Sequence, residues 1–151
     1  MNKTRFNILL VEDDRNDIFL FERACNRLNL PHNLLVVENG EAAIAYLQHQ
    51  APYTNLEQYP LPDLILLDLK LPLRSGLEVL EWLRQQPELK RLLVVILTSS
   101  REIVDINRAY ELGVNSYLVK PVDFSAFIEM VSTLELYWLM LNEKPIIQNN
   151  L

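Results

Sequence analysis

A single cysteine, Cys25, excludes an internal disulfide, and with only His32 and His49 as imidazoles the chain cannot assemble a thiolate or histidine zinc site. Three glycines, Gly40, Gly76 and Gly113, stand too far apart to build a phosphate-binding or dinucleotide-binding loop. Positive charge is in deficit: 14 Lys and Arg face 20 Asp and Glu, a net charge of −6. The clustered positive charge that meets a phosphate backbone is therefore missing, and no nucleic-acid partner is expected. The longest aliphatic run, Leu92–Leu97, falls far short of the ~18 residues of a membrane span. The apolar run near Met1 ends in acids by Asp14, unlike a signal peptide. The expectation is a reduced, cytoplasmic, soluble protein with no membrane partner.

Half of the 151 residues are apolar, enough for one core. Five short runs, Ile8–Val11, Leu34–Val37, Leu64–Leu67, Leu92–Leu97 and Tyr117–Val119, are rich in Val, Ile and Leu without strict alternation, the mark of strands buried on both faces. Each is followed by a helical segment. Ile18, Phe21, Cys25 and Leu28 share one helix face. A second helix runs from about Glu41 to Gln48. Ser75 and Glu78 have capping-box spacing for the third. The fourth starts near Ser100 and stops before Gly113, and the fifth follows Asp123 and continues to about Leu141. Five strand–helix alternations predict an α/β doubly wound five-stranded parallel sheet with helices on both faces. Gln50 to Pro62 carries three prolines and reads as an extended surface loop, and residues 144–151 as a frayed tail.

Ligands of open α/β sheets sit beyond the carboxyl ends of the strands. The first strand ends in Glu12-Asp13-Asp14, the third in Asp68, the fourth in Thr98-Ser99-Ser100 and the fifth in Lys120. The second ends in an ordinary Glu38-Asn39-Gly40 turn, which suits the strand order 2-1-3-4-5 with the second strand at an edge. Asp14 reads as a helix cap. Glu12, Asp13 and Asp68 would repel one another, and a hard divalent cation, Mg²⁺ or Mn²⁺, relieves that repulsion, with the Lys120 ammonium completing neutrality. Asp68 is the candidate nucleophile, since a carboxylate can form an acyl phosphate. The cation, Lys120 and the Thr98 hydroxyl can neutralise phosphoryl oxygens, and the small Ser99 leaves the pocket open.

Ile8-Leu-Leu-Val-Glu-Asp-Asp14, Leu64-Ile-Leu-Leu-Asp-Leu-Lys-Leu-Pro72 with Gly76, Val95-Ile-Leu-Thr-Ser-Ser100 and Tyr117-Leu-Val-Lys-Pro121 resemble the receiver domains of two-component response regulators, over about Phe6 to Leu141. The resemblance implies that Asp68 is the phosphoacceptor, served by a sensor histidine kinase, with at most slow autodephosphorylation rather than enzyme turnover. It implies Asp13 as a direct Mg²⁺ ligand, Glu12 acting through water and the backbone carbonyl of Lys70 as a further ligand. Thr98 and Lys120 become the phosphoryl-sensing pair, Tyr117 the aromatic switch, and Lys120–Pro121 a cis peptide bond. It also implies a receiver unit over 1–143 with no output domain, so that the signal is an altered surface. The long loop, Pro121-Val-Asp-Phe124 and Leu134-Glu-Leu-Tyr-Trp138 are similar to the single-domain regulators of cyanobacterial phytochromes, which implies a bacterial phytochrome as kinase. Lys70 departs from the neutral side chain, such as Asn, that the family pattern suggests there.

Three other readings compete. A flavodoxin-type FMN module would need a hydroxyl-rich loop where this chain has Glu12-Asp13-Asp14, which repel phosphate. An Mg-dependent aspartate-nucleophile phosphohydrolase would carry Asp-x-Asp after the first strand. A non-phosphorylated pseudo-receiver would be a docking module only. Beyond the apolar stripe Phe124, Phe127, Ile128 and Val131, the segment Leu134, Leu136, Tyr137, Trp138, Leu139, Met140 and Leu141 is apolar nearly all round. One sheet face cannot hide it, so a homodimer through the fifth strand and last helix, anchored by Tyr137 and Trp138, is expected.

Overall fold

The computed structural model describes residues 5–27 and 31–147. Strands β1 (Phe6–Val11), β2 (His32–Val37), β3 (Leu64–Leu67), β4 (Val94–Thr98) and β5 (Ser116–Val119) alternate with helices α1 (Arg15–Arg27), α2 (Gly40–Leu47), α3 (Gly76–Arg84), α4 (Ile103–Glu111) and α5 (Phe124–Glu135). The sheet is parallel in the order β2-β1-β3-β4-β5, with Leu9 opposite both Leu35 and Ile65. Alternate strand residues feed opposite layers. Ile8, Leu10, Leu64, Leu66, Val95 and Leu97 pack under α1 and α5, while Leu9, Val11, Ile65, Leu67, Val94 and Ile96 pack under α2 and α3. Both faces of these strands are covered by apolar side chains, which is why the strands read as continuous apolar runs.

Several local signals act as read. Ser75 accepts from Glu78 N–H while the Glu78 carboxylate accepts from Ser75 N–H, a reciprocal capping box. Asp123 caps α5 through Ala126 N–H. Asp14 Oδ1 accepts from Asn16 and Asp17 N–H, closing the start of α1. Gly113, at φ +92°, makes the left-handed turn after α4. On α1 the buried face is Phe21, Ala24 and Cys25, with Ile18 half-buried; Leu28 lies outside the described residues.

Other expectations need correction. Helix α4 begins at Ile103 rather than near Ser100, because Ser100 is buried and its side chain bonds to the helix instead of joining it. The last helix is not α-helical to Leu141: Leu136–Leu141 is a π-helical turn, closed by Asn142 N–H to Tyr137 carbonyl at 2.8 Å. The wider turn buries Leu134 and Leu139, five residues apart, and leaves Leu136, Tyr137, Met140 and Leu141 exposed. Just before it, Glu135 is fully buried and accepts a hydrogen bond from the Cys25 thiol at 2.6 Å; burial raises its pKa. Phe124–Leu141 as a whole is long and apolar enough to cross a membrane by length and composition; here Phe127, Ile128, Val131, Leu134 and Leu139 are buried in the core.

The loop from Gln50 to Pro62 is anchored rather than simply extended. Tyr46, Tyr53 and Tyr59 pack ring against ring, centroids 5.2–6.0 Å apart, and the buried Tyr46 hydroxyl donates to the Pro60 carbonyl at 2.7 Å. Residues 144–147, read as frayed, also make contacts: Lys144 Nζ donates to the Leu139 carbonyl at 2.9 Å and lies over the Phe6 ring, and Ile147 packs on the α2–α3 side of the core.

Candidate functional site

The sheet delivers its polar residues by continuing its backbone ladder one step past the strands. Glu12 N–H donates to Val37 carbonyl, Asp68 N–H to Val11 carbonyl and Lys120 N–H to Thr98 carbonyl, at 2.8–3.1 Å. Each of these three residues is thereby held in strand-like register at the carboxyl edge, with its backbone N–H already satisfied. Behind Asp68 the start of α3 comes in so close that a Cβ on Gly76 would lie 2.1 Å from the Asp68 carbonyl oxygen. Glycine is needed there for that reason, and Gly76 N–H donates to Leu69 carbonyl at 2.8 Å.

Glu12, Asp68 and Thr98 are buried, whereas Asp13 is exposed at the mouth. Carboxylate oxygens of Glu12, Asp13 and Asp68 all lie within 4.8 Å of one another, close enough for one ion to touch all three residues. An all-oxygen set of this kind suits a hard divalent cation. The Lys120 ammonium, from just past β5, donates to Glu12 Oε1, to Asp17 Oδ2 at 2.8 Å and to Asp68 Oδ2 at 3.2 Å. The other Glu12 oxygen accepts from the Asp13 and Asp14 N–H groups, each at 3.1 Å. With both oxygens engaged, Glu12 is better placed to act on a cation through water than by direct ligation.

Asp17 is the residue that sequence reasoning missed. It sits in the first turn of α1, three residues after the Asp14 cap, where the helix overhangs the strand ends. Four carboxylates therefore share the pocket, three of them (Glu12, Asp17 and Asp68) on the ammonium, so one divalent cation plus Lys120 leaves one negative charge instead of neutrality. The surplus has two outlets. Asp17 keeps a quarter of its side chain in water. Burial pushes the Glu12 carboxyl up to about 7, with the charge of Asp68 adding to the rise and the hydrogen bond and charge of Lys120 opposing it. Lys120 moves the other way from what burial alone would do: hydrogen bonds to Asp17 and Glu12, with the charge of Asp68, raise its pKa and keep it an ammonium.

Thr98 and Tyr117 meet through the loop after β4. Ser100 N–H donates to Thr98 Oγ1 at 3.4 Å, and the Tyr117 hydroxyl donates to Ser100 carbonyl at 3.0 Å. Tyr117 is half-buried, with its ring against the α2–α3 side of the core. Lys70 is exposed, and its N–H points at Asp68 Oδ1, 3.5 Å away. Lys120–Pro121 is trans, and the cis peptide bond among the described residues is Ala51–Pro52; the two isomers of an X–Pro bond differ by only ~1 kcal/mol, so either can be selected by its surroundings. Tyr137 and Trp138 are not part of this pocket. They lie on the π-helical turn, edge to face at 5.0 Å, beside a groove of about 470 Å³ that also includes Leu118 and Met130. Tyr137 is exposed, while Trp138 is half-buried against the α1–α5 layer.

Comparisons with known proteins point to one family. Residues 8–132 match the family described as the response regulator receiver domain. Response regulator Rcp1 of Synechocystis sp. is 43% identical over 132 residues, covering 87% of this chain and 88% of that protein. The crystal structure of the phosphorylated cyanobacterial phytochrome response regulator RcpA superposes with a TM-score of 0.89 at 39% identity, over 94% of this chain and 99% of that one. The Mn²⁺-bound form of Rcp1 gives a TM-score of 0.86 at 41% identity, over 93% and 99% of the two chains.

Proposed function

The chain belongs to the response regulator receiver family, and from that premise we propose that it takes a phosphoryl group onto Asp68 from the phosphohistidine of a sensor histidine kinase. The observation that carries the reading is the pairing of Asp68 Oδ2 with Lys120 Nζ at 3.2 Å, beside the Glu12 and Asp13 carboxylates. A carboxylate oxygen of Asp68 attacks phosphorus, the P–N bond breaks, and the imidazole leaves with the bonding electron pair. Lys120 is poised to meet the oxygen charge of the incoming group, and the Thr98 hydroxyl to bond another of its oxygens. Asp13, Asp68 and the Lys70 carbonyl would hold Mg²⁺ or Mn²⁺, with Glu12 acting through water. Bound there, the cation would neutralise phosphoryl oxygens and lower the repulsion that an anionic donor meets in an acidic pocket.

The carboxylates repel a phosphorylated donor unless a cation is bound, so transfer is metal-dependent. The similarity to phytochrome response regulators supports a bacterial phytochrome as the kinase, in the cytoplasm. The output is a changed surface around Thr98, Tyr117 and Lys120. The exposed Leu136, Tyr137, Met140 and Leu141 beside the β5–α5 groove support a homodimer through that face. The phosphohydrolase reading is weaker because the nucleophile ends β3 and not β1, and a docking-only pseudo-receiver would have no use for an intact carboxylate–lysine pocket.

Intact-protein mass spectrometry after incubation with acetyl phosphate and Mg²⁺ tests the assignment. The expected result is one labile phosphoryl addition, absent in Asp68→Asn and absent in EDTA. Labelling of Asp68→Asn at the wild-type rate would refute it.

A further inference from the structure

Helix α4 lacks an ordinary start. Its N-cap residue, Glu102, makes no side-chain hydrogen bond to the helix, and within the helix only Ala109 is buried. Helix N-termini carry unpaired N–H groups that need partners, and a helix with little buried surface depends on them more than most. Here the first turn is held from outside by Ser100. Its Oγ donates to Asp105 Oδ2 at 2.6 Å and accepts from Glu102 N–H at 3.3 Å.

Ser100 also faces the other way. Its N–H donates to Thr98 Oγ1 at 3.4 Å, and its carbonyl accepts from the Tyr117 hydroxyl at 3.0 Å. All the polar groups of this one buried residue are therefore committed, to the end of β4, to the first turn of α4 and to β5.

We propose that Ser100 is a positioning residue that carries the state of Asp68 to helix α4 through its hydrogen bond to Asp105. This deepens the phosphoacceptor reading and rests on it. When the Thr98 hydroxyl turns to a phosphoryl oxygen, its lone pairs leave the Ser100 N–H. A buried N–H without an acceptor is costly, so the Ser99–Ser100 peptide moves. Ser100 Oγ is fixed to that peptide by two bonds and cannot keep its contact with Asp105 while the peptide shifts. Helix α4, lacking another N-terminal anchor, follows. The Tyr117 hydroxyl is bonded to the Ser100 carbonyl, in the following peptide on the same Cα, so β5 and helix α4 both respond to a displacement of this one residue.

The test is amide hydrogen exchange on the full chain with Mg²⁺, with and without acetyl phosphate, while intact mass reports labelling of Asp68. Wild type should show faster exchange in α4 when labelled. Ser100→Ala and Asp105→Ala should be labelled at the wild-type rate. Without the phosphodonor their α4 amides should already exchange about fivefold to tenfold faster, the scale of a lost helix cap, while β1 and β3 stay protected. Labelling should then add no further change in α4. Asp105→Asn, which keeps an acceptor oxygen, should restore the wild-type difference. A labelled Ser100→Ala or Asp105→Ala whose α4 still responds as in wild type would overturn the coupling alone, as would slowed labelling of Asp105→Ala. Loss of β1 and β3 protection in Ser100→Ala leaves the decision to Asp105→Ala, whose side chain is only half-buried. A wild type that takes no label would overturn the phosphoacceptor reading, and the coupling with it.

Discussion

Lys120 and Asp68 are in contact at 3.2 Å although β4 lies between the strands that carry them. The lysine side chain reaches across the end of β4 to a cluster in which it is the shared cation of Glu12, Asp17 and Asp68. Removing it leaves buried carboxylates with no counter-charge. Lys120→Ala should lower the stability of the metal-free chain by about 3–5 kcal/mol, the cost of breaking a buried ion pair from one side. Urea unfolding in EDTA measures this, and added Mg²⁺ should recover part of the loss. A variant as stable as wild type in EDTA would mean that water already compensates the cluster.

Asp13 and Asp14 are adjacent but serve different ends. Asp14→Ala removes the α1 cap and should cost about 1 kcal/mol of stability with little effect on metal affinity. Asp13→Ala removes a carboxylate from the cation cluster and should weaken Mg²⁺ or Mn²⁺ binding at least about tenfold with stability nearly unchanged. Calorimetry for the metal and urea melts for stability separate the two. Equal effects on metal affinity would place the cluster in the wrong register.

The raised pKa of Glu12, about 7, makes the metal-free fold sensitive to pH near neutrality. A carboxyl that holds its proton more tightly when folded stabilises the fold below its ordinary value of 4.5, and that contribution is lost as pH rises through about 7. Metal-free stability should therefore decline between pH 5 and pH 8. The cation needs the ionised form, so Mg²⁺ affinity should move oppositely, rising about tenfold per pH unit below 7 as one proton is displaced. Glu12→Gln should flatten both profiles. A metal affinity independent of pH from 6 to 8 would contradict this.

The exposed apolar residues of the π-helical turn set the last prediction. Tyr137→Glu with Met140→Glu should convert a dimer at micromolar concentration into a monomer by sedimentation, with the melting transition preserved because both side chains are about half in water. Trp138 is a poorer choice, since it also packs on the α1–α5 layer and its loss would mix stability with assembly. A wild-type monomer at all concentrations, or an unaltered dimer in the double variant, would move the interface elsewhere.

The strand order, the two helical layers and the residues ending each strand were legible in the sequence. The reason is local: a strand buried on both faces must be continuously aliphatic, and a helix must be capped, so Leu64–Leu67, Ser75 with Glu78 and Asp123 declare themselves. The placement of Glu12, Asp13, Asp68 and Lys120 in one pocket follows from topology, since parallel strands put all their carboxyl ends on one rim. The tertiary structure alone decided what depends on small displacements between elements. Asp17 looks like any acid in a first helical turn until α1 is set against β5, where it becomes a third partner of Lys120 and changes the charge balance. Ser100 looks like loop until its four hydrogen bonds are seen. The π-helical turn after Glu135 follows no periodic signal, because an all-apolar segment fits any winding, and only packing against the sheet selects which of its faces is buried.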